Sequence, residues 1–329
     1  MRHVHRGGLR SKLGAAVLAT TTAMTAVVGL AGTAGADTRS ASAVAAAQFA
    51  SGTADVKKRL RALENSYQGR IGAYAIDTGT GKTISYRGGE LFPSASTFKA
   101  VLCGAILAKA RTTDPGLLNR TLRWTAKELV TNSPITELPE NLKNGMTVDR
   151  LCHAAVTASD NTAANLLLKQ IGGPAGLTRY YRSLGDPIGR LDRWEPELND
   201  WKPDEKRDTI KPAFMARNLQ KLTLGSTLVP EDRQRLNDWL RASVTGTERI
   251  RAGLPKNWTV GDKTGGGSGP YAPGNDIAVA WPPSGAPLII AVYTNRNDPT
   301  ATMDNSVIAK AATLLAEGLG YSGRGARDQ

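Results

Sequence analysis

The stretch "FPSASTFKAVL", Phe92 to Leu102, sets Lys99 three residues after Ser96 at the head of an apolar run. That run predicts a helix, and a spacing of three puts both side chains on one face of its first turn. An amine then lies beside a hydroxyl, where the free backbone N–H groups of a helix N-terminus favour developing negative charge. A lysine with a depressed pKa can take the serine proton, as histidine does elsewhere. The same residues also describe a helix-capping serine followed by an exposed lysine, so the pattern needs company before it means chemistry.

On either side of this point the texture changes. "RIGAYAID" and "TISYR" around "TGTGK" predict strand, tight turn, strand, preceded by a helix over 54–67. From Ser96 to about Leu240 helical segments alternate with Pro/Gly loops. "WTVGDKTG", "NDIAVAWP" and "PLIIAVYT" then predict strands, and "DNSVIAKAATLLAEGL" predicts a last helix. An antiparallel sheet carrying helices from both chain ends, interrupted by a long helical insertion, is the simplest assembly. The expected division is an α/β domain of residues 54–91 and 245–329 and a helical domain of residues 92–244.

Residues 1–36 read as a secretory signal, basic at first, then apolar and small, with Ala34-Gly35-Ala36 as the cleavage site. Cleavage after Ala36 predicts a secreted protein with no permanent membrane anchor, and residues 37–53, rich in Ala, Ser and Thr, predict a flexible leader. Removing Arg2, Arg6, Arg10 and Lys12 lowers the formal net charge from +13 to +9. The remaining cations are interleaved with acids and lack a basic run, which argues against nucleic acid as a partner.

Cys103 and Cys152 are the only cysteines. Export makes a disulfide the expected state, with two buried thiols as the alternative. After the signal the only histidine is His153, too few ligands for a zinc site and a poor basis for a Ser-His-Asp triad, so no metal or organic cofactor is expected.

Two further short motifs accompany Ser96 and Lys99. "SDN", Ser159-Asp160-Asn161, offers a hydroxyl for proton relay and an amide for a substrate amide; "KTG", Lys263-Thr264-Gly265, ends a strand where a sheet edge meets a cation. Each alone also describes an ordinary turn, but together and in this order they are specific.

The set S-x-x-K, S-D-N, K-T-G belongs to class A β-lactamases and penicillin-binding proteins. Over essentially its whole length after the leader the chain resembles a class A serine β-lactamase, through "FPSASTFK", "MTV", "SDNTAANLLL", "LDRWEPELN" and "GDKTGGG". The resemblance implies an α/β two-domain fold, with an antiparallel sheet flanked by helices, an all-helical domain and the active site between them. It also implies a monomer acting on β-lactam antibiotics, penicillins and possibly cephalosporins.

By resemblance Ser96 is the nucleophile, Lys99 or Glu195 its base, and Ser159 the proton relay to the leaving nitrogen. Glu195 with Asn199 directs the deacylating water, a pair commonly absent from D,D-peptidases. Asn161 holds the substrate amide, Lys263 and Thr264 its carboxylate, and Gly265 closes that motif. The backbone of Ser96 and Gly266 forms the oxyanion hole. Arg193 with Asp208 clasps the loop 190–208, and Cys103 with Cys152 occupies a disulfide position of the helical domain.

Three departures stand out. Asn132 replaces an aromatic at the substrate entrance, the turn after "KTG" is long, and no arginine follows on the next strand. Arg249 in "TGTERIRAGLP" is the implied substitute for that arginine, and Arg251 shares its face if the segment is extended. The alternative readings are a D,D-peptidase-like enzyme or a slowly deacylating penicillin-binding protein.

Overall fold

Strands from both ends of the chain meet in one sheet. The computed structural model describes residues 34–267 and 269–321. Helix α1 (Ala34–Tyr67) leads into β1 (Gly69–Asp77) and β2 (Thr83–Tyr86). The turn between these strands is fixed by Asp77, whose carboxylate accepts from Gly79 N, Thr80 N and Thr80 Oγ1. After β3 (Phe92–Pro93) a 3₁₀ turn, Ala95–Thr97, runs into α2 (Phe98–Thr112).

The helical region continues through β4 (Thr121–Leu122), α3 (Pro139–Asn144), β5 (Met146–Thr147), α4 (Val148–Thr157), α5 (Asn161–Gln170) and α6 (Gly173–Ser183). It then passes through β6 (Thr209–Ile210), α7 (Pro212–Thr223), α8 (Pro230–Arg241) and the single turn α9 (Ile250–Gly253). Strands β7 (Thr259–Gly266), β8 (Gly274–Trp281) and β9 (Leu288–Arg296) and helix α10 (Asn305–Gly318) complete the chain.

The five-stranded sheet has the order β2-β1-β9-β8-β7, and every neighbouring pair is antiparallel. Strand β9 is apolar on both faces because both are covered. Ile289, Ala291 and Tyr293 pack into the core shared with α2 and α7, whereas Leu288, Ile290 and Val292 pack with Leu60 of α1 and Ile308 and Leu315 of α10. Helix α2 is buried from Phe98 to Leu107, so its apolar composition on all sides matches a central position. Fully burying each of its large side chains contributes roughly 1.5–3 kcal/mol. This helix carries the serine and lysine of the opening stretch at its head.

Residues 37–53, expected as a flexible leader, lie within helix α1, consistent with alanine being the strongest helix former. The disulfide expectation changes. Cys103 and Cys152 are neighbours across α2 and α4, yet both are free, buried thiols. The Cys103 thiol donates to the Cys152 carbonyl oxygen at 3.7 Å. The signal-peptide reading of residues 1–36 falls almost wholly outside the described residues. Among the described residues no helix is long and apolar enough to cross a membrane.

Candidate active site

The chain enters α2 through a strained residue. Ala95, immediately before Ser96, has φ 40°, in the left-handed region that costs a non-glycine residue about 1–3 kcal/mol. Surrounding bonds hold it there: Ser94 N donates to Asp208 O (2.8 Å), and Asn275 Nδ2 donates to Pro93 O (2.8 Å) and Ser94 O (3.2 Å). Strand β7 presses on this turn at Gly265, where an added Cβ would come within 3.0 Å of Ser94 O. Ser96 therefore sits on a turn fixed by the sheet on one side and by the 190–208 loop on the other.

Lys99 has no exposed surface, and its Nζ meets Ser159 O (2.7 Å), Asn161 Oδ1 (2.5 Å), Glu195 Oε1 (3.1 Å) and, more distantly, Ser159 Oγ (3.4 Å). Burial pushes its pKa below the ordinary lysine value, against the upward pull of Glu195. Lys99 does not lie in direct hydrogen bond with Ser96. Instead both meet the same carboxylate oxygen, Ser96 Oγ donating to Glu195 Oε1 at 3.2 Å.

The other Glu195 oxygen, Oε2, accepts from Asn199 Nδ2 at 2.8 Å. The backbone of Glu195 is pinned by a residue that motif reading misses: Asn165 Nδ2 donates to Glu195 O (2.9 Å), and Glu195 N donates to Asn165 Oδ1 (3.0 Å). Its signal was present in the sequence, four residues after Asn161 and hence on the same face of α5. The base of the loop is tied at Asp208, which accepts from Asp192 N (2.7 Å), Arg193 N (3.0 Å) and Arg193 Nε (2.6 Å).

The SDN segment is held by its middle residue. Asp160 is buried and accepts from Ile135 N, Thr136 N, Thr136 Oγ1 and Ala163 N, capping α5 while tethering the loop that carries Asn132. Ser159 therefore projects between two lysines, with Lys263 Nζ 3.0 Å from its Oγ. Lys263 also donates to Thr264 O (2.7 Å), and burial, then the charge of Lys99, pushes its pKa well down. Asn132 adopts φ 61° and donates to Ser159 O at 3.3 Å, which leaves the entrance without an aromatic wall.

Arg249 is 7% exposed and donates from Nη1 to Gly265 O (2.7 Å) and Asn275 O (2.6 Å) and from Nε to Asn305 Oδ1 (2.8 Å). A Cβ on Gly266 would lie 3.4 Å from its Nη2. Arg251 does not share this direction, because the segment coils into α9 and is not extended. It binds Asp262 and donates to Leu240 O and Arg241 O at the end of α8. Among the described residues no group of three or more His, Cys, Asp and Glu could hold a metal.

Ser96, Asn132, Asn161, Asn199, Gly266 and Gly267 line a cleft of about 710 Å³. A hydroxyl lining this cleft, bonded to a buried carboxylate that a buried lysine also meets, with a second buried lysine on the neighbouring serine, is the arrangement of a hydrolytic enzyme. The chain belongs to the β-lactamase enzyme family, whose family model matches residues 55–319, and within it to class A. It is 48% identical to the β-lactamase FAR-1 of Nocardia farcinica, over 78% of this chain and 81% of that protein. Among solved structures it is similar to the β-lactamase of Streptosporangium roseum, at 60% identity and TM-score 0.80 over 82% of this chain and 99% of that one. The class A β-lactamase of the last common ancestor of Gram-negative bacteria matches at 48% identity and TM-score 0.75, covering 80% of this chain and 99% of that one.

Proposed function

We propose that this β-lactamase hydrolyses the β-lactam amide through an acyl-Ser96 intermediate, as a secreted monomer freed of residues 1–36. The observation that carries the reading is the bridging position of Glu195. One of its oxygens lies within 3.2 Å of Ser96 Oγ and the other within 2.8 Å of Asn199 Nδ2. A carboxylate so placed serves the serine in acylation and a water on the ester in deacylation.

In the acylating step Ser96 Oγ attacks the β-lactam carbonyl and its proton passes to Glu195, or to Lys99 across the shared oxygen. The backbone N–H groups of Ser96 and Gly266 receive the oxyanion. Ser159, between Lys99 and Lys263, delivers its proton to the departing nitrogen and is reprotonated by Lys99, which carries the proton taken from Ser96 directly or by way of Glu195, so that Glu195 is again a carboxylate. Asn161 holds the amide of the side chain, while Lys263, Thr264 and Arg249 bind the carboxylate. Glu195 then takes a proton from a water that attacks the ester carbonyl, and returns it to Ser96 Oγ as the acyl bond breaks.

The test is a chromogenic cephalosporin mixed with purified protein, followed by both absorbance and intact mass. Sustained turnover with a transient adduct on Ser96 is the expected result. A single stoichiometric burst with a lasting adduct would instead mark a slowly deacylating penicillin-binding protein, and absence of any adduct would remove the acyl-Ser96 mechanism.

A further inference from the structure

Thr264 has a partner that the motif does not contain. Its Oγ1 lies 2.6 Å from Thr245 Oγ1, a short contact between two hydroxyls at the inner face of β7. Thr245 comes from the segment between α8 and α9, which can press on β7 because of Gly246, where a Cβ would lie 2.0 Å from Asp262 Oδ2. Val244 N, donating to Thr157 O at 3.1 Å, fixes the segment from the other side. Thr264 stands two residues before Gly266, so the two share a strand face, and Gly266 lines the cleft.

Each hydroxyl has one proton, so the order of donors along this row matters. At the far end Ser243 Oγ donates to Asp262 Oδ2 (3.0 Å), whose carboxylate is held by Arg251. Ser243 Oγ is then left to accept from Thr245, but at 3.4 Å, much longer than the 2.6 Å contact with Thr264. The Thr245 proton therefore has its better acceptor in Thr264 Oγ1. If Thr245 donates to Thr264, the Thr264 proton is free to point into the cleft, and donation from Thr245 strengthens it as a donor.

We propose that Thr245 is a positioning residue for carboxylate recognition, its hydroxyl turning the Thr264 proton towards an anionic ligand in the cleft. The inference rests on the reading of Thr264 as a carboxylate donor and assigns the group that orients it. With a carboxylate bound, the sequence of donors is Thr245 to Thr264 to ligand, while Ser243 remains with Asp262. A neutral ester at the same place is a weaker acceptor and gains less from this order.

The experiment compares KM and kcat for a penicillin as free acid and as methyl ester, in wild type, Thr245→Val, Thr245→Ser, Thr264→Val and the double variant Thr245→Val with Thr264→Val, with melting temperatures recorded for each. Thr245→Val should raise KM for the acid about three- to tenfold, with kcat within about twofold and the ester little affected. Thr245→Ser should restore the acid, and the double variant should lose no more than Thr264→Val alone. An unchanged acid KM in Thr245→Val, or equal losses for acid and ester, overturns the proposal. A wild-type enzyme that does not favour acid over ester, or a Thr264→Val variant that keeps the preference, overturns the underlying reading of Thr264 and the proposal with it.

Discussion

Lys99 Nζ and Glu195 Oε1 stand 3.1 Å apart with both side chains fully withdrawn from solvent. Two candidate bases thus share one contact beside Ser96, and Glu195 acts on the charge of Lys99. Burial lowers the pKa of Lys99 and Glu195 pulls it back up. Glu195→Gln removes the upward pull, so Lys99 should lose its proton at a lower pH than in wild type.

The expected behaviour of Glu195→Gln is acylation without release, visible by intact mass as a persistent adduct. Its single-turnover acylation rate should rise with pH and level off below the ordinary lysine range, because neutral Lys99 is then the base acting on Ser96. A rate independent of pH would assign acylation elsewhere, and normal steady-state turnover would remove Glu195 from deacylation.

Asp208 anchors the loop that presents Glu195, and its carboxylate is buried against three donors. Asp208→Ala leaves the Arg193 guanidinium and two backbone N–H groups without their acceptor, at a cost of about 3 kcal/mol. Urea titration should show that loss, together with an acyl-enzyme longer-lived than in wild type. Unchanged stability would mean that the clasp is dispensable.

The strands, the central helix and the three motifs were legible because their signals are local: alternation, apolar runs and fixed spacings of two or three residues. The contacts that orient the motifs join segments far apart in sequence. Thr245 meets Thr264 only because Gly246 lets a coil settle on β7, and Asp160 acts through a loop some twenty-five residues earlier. Arg251 illustrates the same limit, since its direction depends on whether residues 250–253 extend or coil. The cysteines could be placed near one another by resemblance, but the direction of one thiol towards a carbonyl has no trace in spacing.

Cys103 and Cys152 should titrate as two thiols in denatured protein that has never met a reductant, and as none in native protein. Burial, then the adjacent Cys103 thiol, pushes the Cys152 pKa up, which keeps it from forming the reactive thiolate. Ellman's reagent with and without guanidinium provides the measurement. Absence of thiol in the denatured sample would show that the pair is oxidised.

Arg249 is held against strand β7 by Gly265 O, Asn275 O and Asn305 Oδ1, with Nη2 next to Gly266. That anchoring restricts the guanidinium before any ligand arrives, so a charge-assisted bond to a carboxylate costs little further ordering. Arg249→Ala should lose about 1.5–3 kcal/mol of transition-state stabilisation, read as kcat/KM on a penicillin and a cephalosporin. Arg251→Ala is expected to act differently, lowering stability by about 3 kcal/mol because Asp262 is left buried without its cation. For Arg251→Ala, kcat/KM should stay closer to wild type at temperatures where it remains folded. Equal kcat/KM for wild type and Arg249→Ala on both substrates would leave carboxylate binding to Lys263 and Thr264.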